Sequence, residues 1–454
     1  LIGGERGDVI DSVTRVYQSA KMMRWIYPLI LLLALPLVWL RLAWRARREP
    51  EYGKRRAERF GHVPESVRTG PIWFHTVSAG ETIAAAPLIR EVTQLLARTP
   101  DAPPVLVTTM TPTGSAQVIE RLGDLVDHCY APYDFGFGVR RFYAQVRPRL
   151  LVLMETELWP NLIAEAHAHG VPVLLVNARL SARSAAGYAK LSGLTRRMLS
   201  QVDMIACQTQ DHSDRFESLG APHTSVLGSV KFDVELPADF PAQVHQLGTQ
   251  LGLVNSQVWI AASTHPGEDE IVLAVFTRLR EQFPQLRLLL VPRHPVRADE
   301  VAALVTGYSL ARQSELCAGD MSPPTVPADV IIGDVMGSLL LLYGLADVAF
   351  IGGSLVPLGG HNPIEPALCS VPAMSGPHQF NFTQAMQALE AAGAHVTVAD
   401  GDELAAQLSV WLSEPAQAQA AGAAGGAVLT ENRGAQARIL NLLREHLTKI
   451  GIDL

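Results

Sequence analysis

From Gly70 onward, short apolar runs alternate with longer segments whose apolar residues recur every three or four positions. The runs Ile72–Phe74, Val105–Thr108, Leu150–Met154, Val171–Val176, Met204–Cys207 and Ser225–Leu227 are too short for helices, which predicts buried strands. Between them, Ile83–Leu96, Thr113–Leu122, Trp159–His169 and Gln210–Leu219 carry the helical period. Strand, helix, strand in that order predicts an α/β chain with a parallel, doubly wound sheet. A second series repeats the pattern. Its strands are Val258–Ala262, Leu286–Val291, Val330–Ile332, Val348–Ile351 and His395–Val398; its helices are Glu268–Gln282, Ala298–Val305, Ser338–Tyr343, Phe382–Ala391 and Glu403–Leu412. Between the two series, after Lys231-Phe232-Asp233, the stretch ELPADFPAQ has two prolines and no period, as a linker would. The Ala/Gly-rich stretch Ala416–Ala427 suits a tightly packed or mobile connection into a last helix ending near Lys449.

The N-terminal part breaks this pattern. Trp25–Leu40 has no charge, and about 20 helical residues are needed to cross a ~30 Å hydrocarbon core, so the run is barely long enough. Trp25, Tyr27, Trp39 and Trp44 flank it as interfacial aromatics do, and Arg41, Arg45, Arg47, Arg48, Lys54, Arg55, Arg56 and Arg59 follow. This predicts an uncleaved anchor that holds the rest of the chain on the cytoplasmic side. A signal peptide is the rival, but no small-residue cleavage site follows the run, and the basic cluster opposes export. Pro28, Pro36 and Arg41 weaken a continuous span, so spanning and interfacial seating both stay open. Residues 1–22 read as a leader, native or added ahead of a start at Met22 or Met23.

At ~100 to 200 residues per domain, 454 residues are enough for two or three domains. With 18 % charged and 48 % apolar residues the chain is neither disordered nor a multi-span membrane protein. A net charge of −7 argues against a global affinity for nucleic acid. Cys129, Cys207, Cys317 and Cys369 are widely spaced with no C-x-x-C pair, which signals neither a zinc site nor a disulfide framework. G-x-G-x-x-G at the first helix, G-K-[ST], H-E-x-x-H and G-x-S-x-G are all missing, and so is D-x-D. Dinucleotide oxidoreductase, P-loop ATPase, zinc protease and α/β-hydrolase lose ground accordingly.

Ligands of open α/β sheets bind beyond the carboxyl ends of the strands, so the strand-to-helix junctions carry the candidate chemistry. In His75-Thr76-Val77-Ser78-Ala79-Gly80-Glu81, Ser78 and Glu81 have the spacing of a capping box, while Glu81 is equally a carboxylate able to take a proton from an acceptor hydroxyl. Glu155-Thr156-Glu157 before Trp159 either complements a helix dipole or contacts sugar hydroxyls. The run Gly352–Ala367 carries four glycines and enters a helix through Asn362 and Pro363, the outline of a phosphate loop; Asn362 and Glu365 also fit a capping box. Thr264–Glu268 and Arg293-His294 with Arg297 add imidazole and guanidinium groups to the same sheet edge, a set suited to a nucleotide. Facing α/β domains behind an anchor suggest a transferase carrying an activated donor to a lipid acceptor.

The motifs HTVSAGE (His75–Glu81), TTMTPTGS (Thr108–Ser115), METELWPN (Met154–Asn161), VNARLSARS (Val176–Ser184), GSVKFD (Gly228–Asp233), ASTHPGE (Ala262–Glu268), PRHPVR (Pro292–Arg297), GDVMGSLLLLY (Gly333–Tyr343) and GGSLVPLGGHNPIEPA (Gly352–Ala367) together resemble the 3-deoxy-D-manno-octulosonic acid (Kdo) transferases of lipopolysaccharide synthesis. The likeness runs from near Met23 almost to the C-terminus, with departures at Ser229, Pro266 and Ser338. The resemblance implies a GT-B glycosyltransferase, two Rossmann-like domains facing a cleft, that moves Kdo from CMP-Kdo to the 6′-hydroxyl of a lipid A precursor (lipid IVA) with inversion. It implies no cofactor and no metal, and a place on the cytoplasmic face of the bacterial inner membrane. Glu81 matches the family's general base. His265, Arg293, His294, Met336, Gly337, Gly353, Ser354, Asn362 and Glu365 match its donor-binding positions. Ser78, Glu157, Arg179 and Lys231 are weaker candidates for sugar or acceptor contacts. The corresponding layout is an anchor at 23–45, an acceptor domain at 46–232, a linker at 233–245, a CMP-Kdo-binding domain at 246–430 and a C-terminal helix at 431–454.

Overall fold

The computed structural model describes residues 33, 35–47, 49–318, 324 and 326–454. The chain forms two compact units: residues up to Val230 together with Arg433–Leu454, and Lys231–Asn432. The C-terminal helix thus belongs to the first unit, and the crossing point falls just before Lys231.

In the first unit the strands Ile72–His75 (β1), Val105–Thr109 (β2), Asp127–Tyr130 (β3), Leu150–Met154 (β4), Val173–Ala178 (β5), Met204–Cys207 (β6) and Thr224–Val226 (β7) make one parallel sheet in the order β3-β2-β1-β4-β5-β6-β7. The central strands β1, β2, β4 and β5 are buried throughout and mostly apolar because both faces are covered. Successive residues of β1 go to opposite cores: Ile72 and Phe74 pack with Val107, Val152 and Leu443, whereas Trp73 packs with Phe142, Tyr143 and Leu151. The strand expected at Val171–Val176 begins two residues later, after Pro172, whose carbonyl accepts from Leu151 N–H but which has no N–H of its own to give. The edge strand β3 has no apolar pattern to announce it, and of the helices Ala182–Ala189 and Ser192–Leu199 the first buries no residue and the second only Thr195, Met198 and Leu199.

The second sheet comprises Gln257–Thr264 (β8), Leu286–Pro292 (β9), Leu310–Arg312 (β10), Val330–Ile332 (β11), Val348–Ile351 (β12), Ala373–Ser375 (β13) and His395–Thr397 (β14), all parallel, in the order β10-β11-β9-β8-β12-β13-β14. Two of these, β10 and β13, are three-residue strands with no legible period. The stretch read as a linker carries the start of a helix, Phe240–Leu251, in which Pro241 sits in the first turn, where no N–H is needed. The Ala/Gly-rich stretch is an 18-residue helix, Pro415–Asn432. Its glycines bring it close to its neighbours: a Cβ on Gly422 would stand 1.9 Å from the Ser370 carbonyl oxygen.

Each sheet reverses its winding once, between β1 and β4 and between β8 and β12. These switch points are where loops diverge and leave a crevice. The anchor expected at Trp25–Leu40 lies largely outside the described residues. What is described there is a helix over 35–47, and no helix among the described residues is long and apolar enough to cross a membrane.

Candidate functional site

The first unit's switch point is built from the residues that follow β1, β4 and β5. The helix Ala79–Leu96 starts at Ser78, whose Oγ accepts from the Glu81 N–H (3.4 Å) and donates to Glu81 Oε1 (2.8 Å). Glu81 Oε2 accepts from the Val77 N–H at 2.8 Å, one residue further back than in a standard capping box. The cap is therefore real, yet it does not use up the carboxylate's chemistry. Glu81 is only 8 % exposed. Burial pushes its carboxyl up to about 7, helped by the charges of Glu157 and Glu155 and resisted by the bonds from Val77 and Ser78. One side chain thus caps a helix and changes protonation near neutrality.

Glu155, buried and in the left-handed region at φ 55°, pairs through Oε2 with Arg179 Nε at 2.7 Å. The Thr156 hydroxyl donates to the Arg179 carbonyl at 2.6 Å. Trp159 Nε1 donates to Glu157 Oε2 at 2.8 Å, and burial raises the Glu157 carboxyl too. A helix-dipole role for these two acids is corrected by the structure. The next helix, Pro160–Ala168, has no acid in its first turn, and its N–H groups at Asn161 and Leu162 are taken by Asp134. Ser78, Glu81, Glu157 and Arg179 consequently share one sheet edge.

The second unit's switch point gathers His265 after β8, Arg293 and His294 after β9, and the Gly352–Ala367 run after β12. Its organising group is Glu268, fully buried in the first turn of the helix Glu268–Gln282. Its carboxylate accepts from the N–H groups of Gly353 (2.7 Å), Ser354 (2.9 Å), Leu355 (2.9 Å) and His265 (3.1 Å). This corrects the phosphate-loop reading of Gly353 and Ser354, because the amides expected to meet a ligand are already held by a protein anion. Gly353 is required instead for its φ of +68° and because a Cβ there would lie 3.0 Å from His361 Nε2.

The helix entered through Asn362 is short, Ile364–Leu368, so its dipole is small. Asn362 Oδ1 accepts from the Ile364 N–H at 3.1 Å and Nδ2 donates to Glu365 Oε1 at 3.1 Å, a local turn rather than a full capping box. Burial raises the Glu365 carboxyl, while Asn362 and the charge of Arg293 oppose the shift. Met336 is 75 % exposed on the turn after β11, beside Gly337 at φ +83°. Lys231 has its ammonium 6.0 Å from the centre of the Phe382 ring, and Phe382 lines a small cavity with Gly359, Gly360 and His361. Three contributors escaped the reading of single junctions: His361, which meets His265; Glu268, quoted only as the end of a motif; and Asn381, which donates to the Leu358 and Gly360 carbonyls and braces the loop.

Comparison with known proteins places this geometry in a family. A family model described as 3-Deoxy-D-manno-octulosonic-acid transferase (kdotransferase) matches residues 54–234. The 3-deoxy-D-manno-octulosonic acid transferase of Haemophilus influenzae is 39 % identical over 439 residues, covering 94 % of this chain and 100 % of that protein. Its Bordetella pertussis counterpart is 38 % identical over 441 residues, with the same two shares. A solved UDP-GlcNAc 2-epimerase from Neisseria meningitidis, bound to UDP-GlcNAc, matches 83 % of this chain and 100 % of its own at a TM-score of 0.54 and 13 % identity, a likeness of fold alone, of the GT-B kind. With such identity along nearly the whole of two curated relatives, the chain is a glycosyltransferase and belongs to the 3-deoxy-D-manno-octulosonic acid transferase family.

Proposed function

We propose that the chain transfers Kdo from CMP-Kdo to the 6′-hydroxyl of a lipid A precursor, lipid IVA, by inverting, metal-independent displacement with Glu81 as general base. The observation that carries this reading is the Glu81 carboxylate, almost buried at the β1/β4 switch point and raised to about 7 by that burial. A base of that pKa accepts a hydroxyl proton at neutral pH without being permanently protonated, and a positioned base contributes ~10² to 10⁴ in rate. Arg179 and Glu157, on the same edge, are the proposed sugar and acceptor contacts, with Ser78 orienting the base.

On the donor side, Arg293 supplies positive charge and His265 and His294 supply N–H donors for the phosphate, with Met336, Gly337, Asn362 and Glu365 for the nucleoside. Their place at the β8/β12 switch point and on the turn after β11 supports this division. Gly353 and Ser354 contribute by shaping the loop. Inversion requires the hydroxyl to attack the anomeric carbon from the face opposite the departing CMP, so the remaining rate enhancement is assigned to orientation and to charge placed near that phosphate.

The acceptor is a lipid, and we place the chain at the cytoplasmic face of the inner membrane. Supporting this, Leu33, Leu37, Leu40 and Trp44 are all exposed at helical spacing, next to the exposed Arg41 and Arg47. The test is Glu81→Gln, which keeps an acceptor for the Val77 N–H but cannot take a proton. Kdo transfer to lipid IVA, followed by mass spectrometry, is expected to fall by ~10² to 10⁴ while CMP binding and folding persist. Near wild-type transfer by this variant would remove Glu81 from the mechanism.

A further inference from the structure

His265 and His361 meet edge to edge at the donor-side switch point. Their Nε2 atoms are 2.9 Å apart, the ring planes differ by 4°, and the centroids are 5.2 Å apart. A neutral imidazole has one donor and one acceptor nitrogen, so at this distance one Nε2 carries a hydrogen and the other offers its lone pair. Both side chains are only half-buried, so the pair is within reach of a ligand. Gly353 makes room for it, since a Cβ there would lie 3.0 Å from His361 and 3.5 Å from His265.

The charged groups that act on the pair come from three elements. Arg293, His294 and Arg297 follow β9, with the His294 ring 6.3 Å from His265 and nearly perpendicular to it. Glu268 comes from the helix after β8, and Glu365, whose charge acts on Arg293, from the helix after His361. Cations outnumber anions around both rings. Burial, followed by Arg293, His265 and His294, lowers His361 to about 4, and His265 is lowered as well. The pair is therefore uncharged at neutral pH and shares a single hydrogen between its two Nε2 atoms.

We propose that His361 is a second donor-site residue and that the two imidazoles form a clamp that gains a proton as it grips the donor's phosphate. When both Nε2 atoms turn to phosphate oxygens, the nitrogen that offered a lone pair must become a donor. It takes up one proton from solvent, and the clamp passes from neutral to singly positive as two N–H···O bonds form. The added charge suits the reaction's direction, because breaking the donor's ester bond to phosphate leaves a monoester that carries more negative charge than the intact diester. This inference rests on the CMP-Kdo reading of the donor site.

Calorimetric titration of CMP into the full chain, at one near-neutral pH in two buffers of different ionisation enthalpy, counts the protons exchanged. Cytidine serves as the probe without phosphate. The wild-type chain is expected to take up about one proton more per CMP than either His361→Gln or His265→Gln, since a glutamine cannot be protonated. CMP affinity should drop roughly tenfold or more in each variant, the loss expected for a hydrogen bond to a charged group, with cytidine binding unchanged. The proton on CMP's own phosphate contributes alike in all three proteins and cancels in the difference. Either variant decides the matter alone if the other fails to fold. Equal proton counts in wild type and variants, as a simple exchange of tautomers would produce, overturn the clamp while leaving the donor reading intact. A wild-type chain that does not bind CMP overturns both.

Discussion

The Glu268 carboxylate takes the Gly353 N–H at 2.7 Å from the loop that follows β12, on the other side of the β8/β12 switch point. With the Ser354, Leu355 and His265 N–H groups also on it, the carboxylate fills a nest of amides. The turn that presents His361 is thereby fixed before any donor arrives.

Removing that anion should be costly. Glu268→Ala leaves four inward-facing N–H groups without an acceptor, and a destabilisation of roughly 3 to 5 kcal/mol is expected. Denaturant titration measures it. A midpoint shift worth less than about 1 kcal/mol would mean that the amides find other partners.

The pH dependence of Glu81 runs in opposite directions for stability and for rate. Its carboxyl is raised from the ordinary 4.5 to about 7, so between those values the folded chain holds more proton than the unfolded one. Stability from this group is complete below the lower value and lost as pH rises through the upper one, by roughly 3 kcal/mol in all. Transfer needs the ionised form, so kcat/KM should climb with pH along an acid limb near the upper value. Glu81→Gln should flatten both curves, and an acid limb that persists unshifted in its residual activity would assign it to another group.

Two glycines test the packing. Gly422→Ala places a Cβ 1.9 Å from the Ser370 carbonyl oxygen and should lower stability by about 1 to 3 kcal/mol or more. Gly187→Ala, in the helix Ala182–Ala189 with nothing within 4 Å of the new atom, should raise it by about 0.5 to 1 kcal/mol. Melting temperatures of opposite sign relative to wild type are expected, and a stable Gly422→Ala protein would contradict the close approach of that helix.

The C-terminal helix Ala435–Lys449 buries Ile439, Leu443 and Leu447 in the same core as Ile72, Leu88 and Val92. Leu443→Ala should therefore destabilise the first unit by about 2 to 5 kcal/mol. Hydrogen exchange of the helix Ala79–Leu96 gives the readout, and unchanged protection there would show that the last helix is dispensable to that core.

Most central strands of both sheets were legible because burial on two faces leaves an apolar run, as in Leu150–Met154, that needs no partner to be recognised; the interior strand Ala373–Ser375, three residues long, was too short to show one. Edge strands such as Asp127–Tyr130 and Leu310–Arg312 were not, since half-exposed residues carry no such pattern. The candidate site divides in the same way. Local order along the chain was enough to place Glu81 beside its own cap, because Ser78 and Glu81 are three residues apart. What only the tertiary structure decided are the meetings of distant positions: Glu268 with Gly353, His265 with His361, and Arg179 with Glu155. Each joins loops that leave different strands, and sequence spacing carries no record of which loops the winding of a sheet brings side by side. Burial likewise belongs to the packed chain, so the raised carboxyl of Glu81 comes from its neighbours in space and not from the motif that contains it.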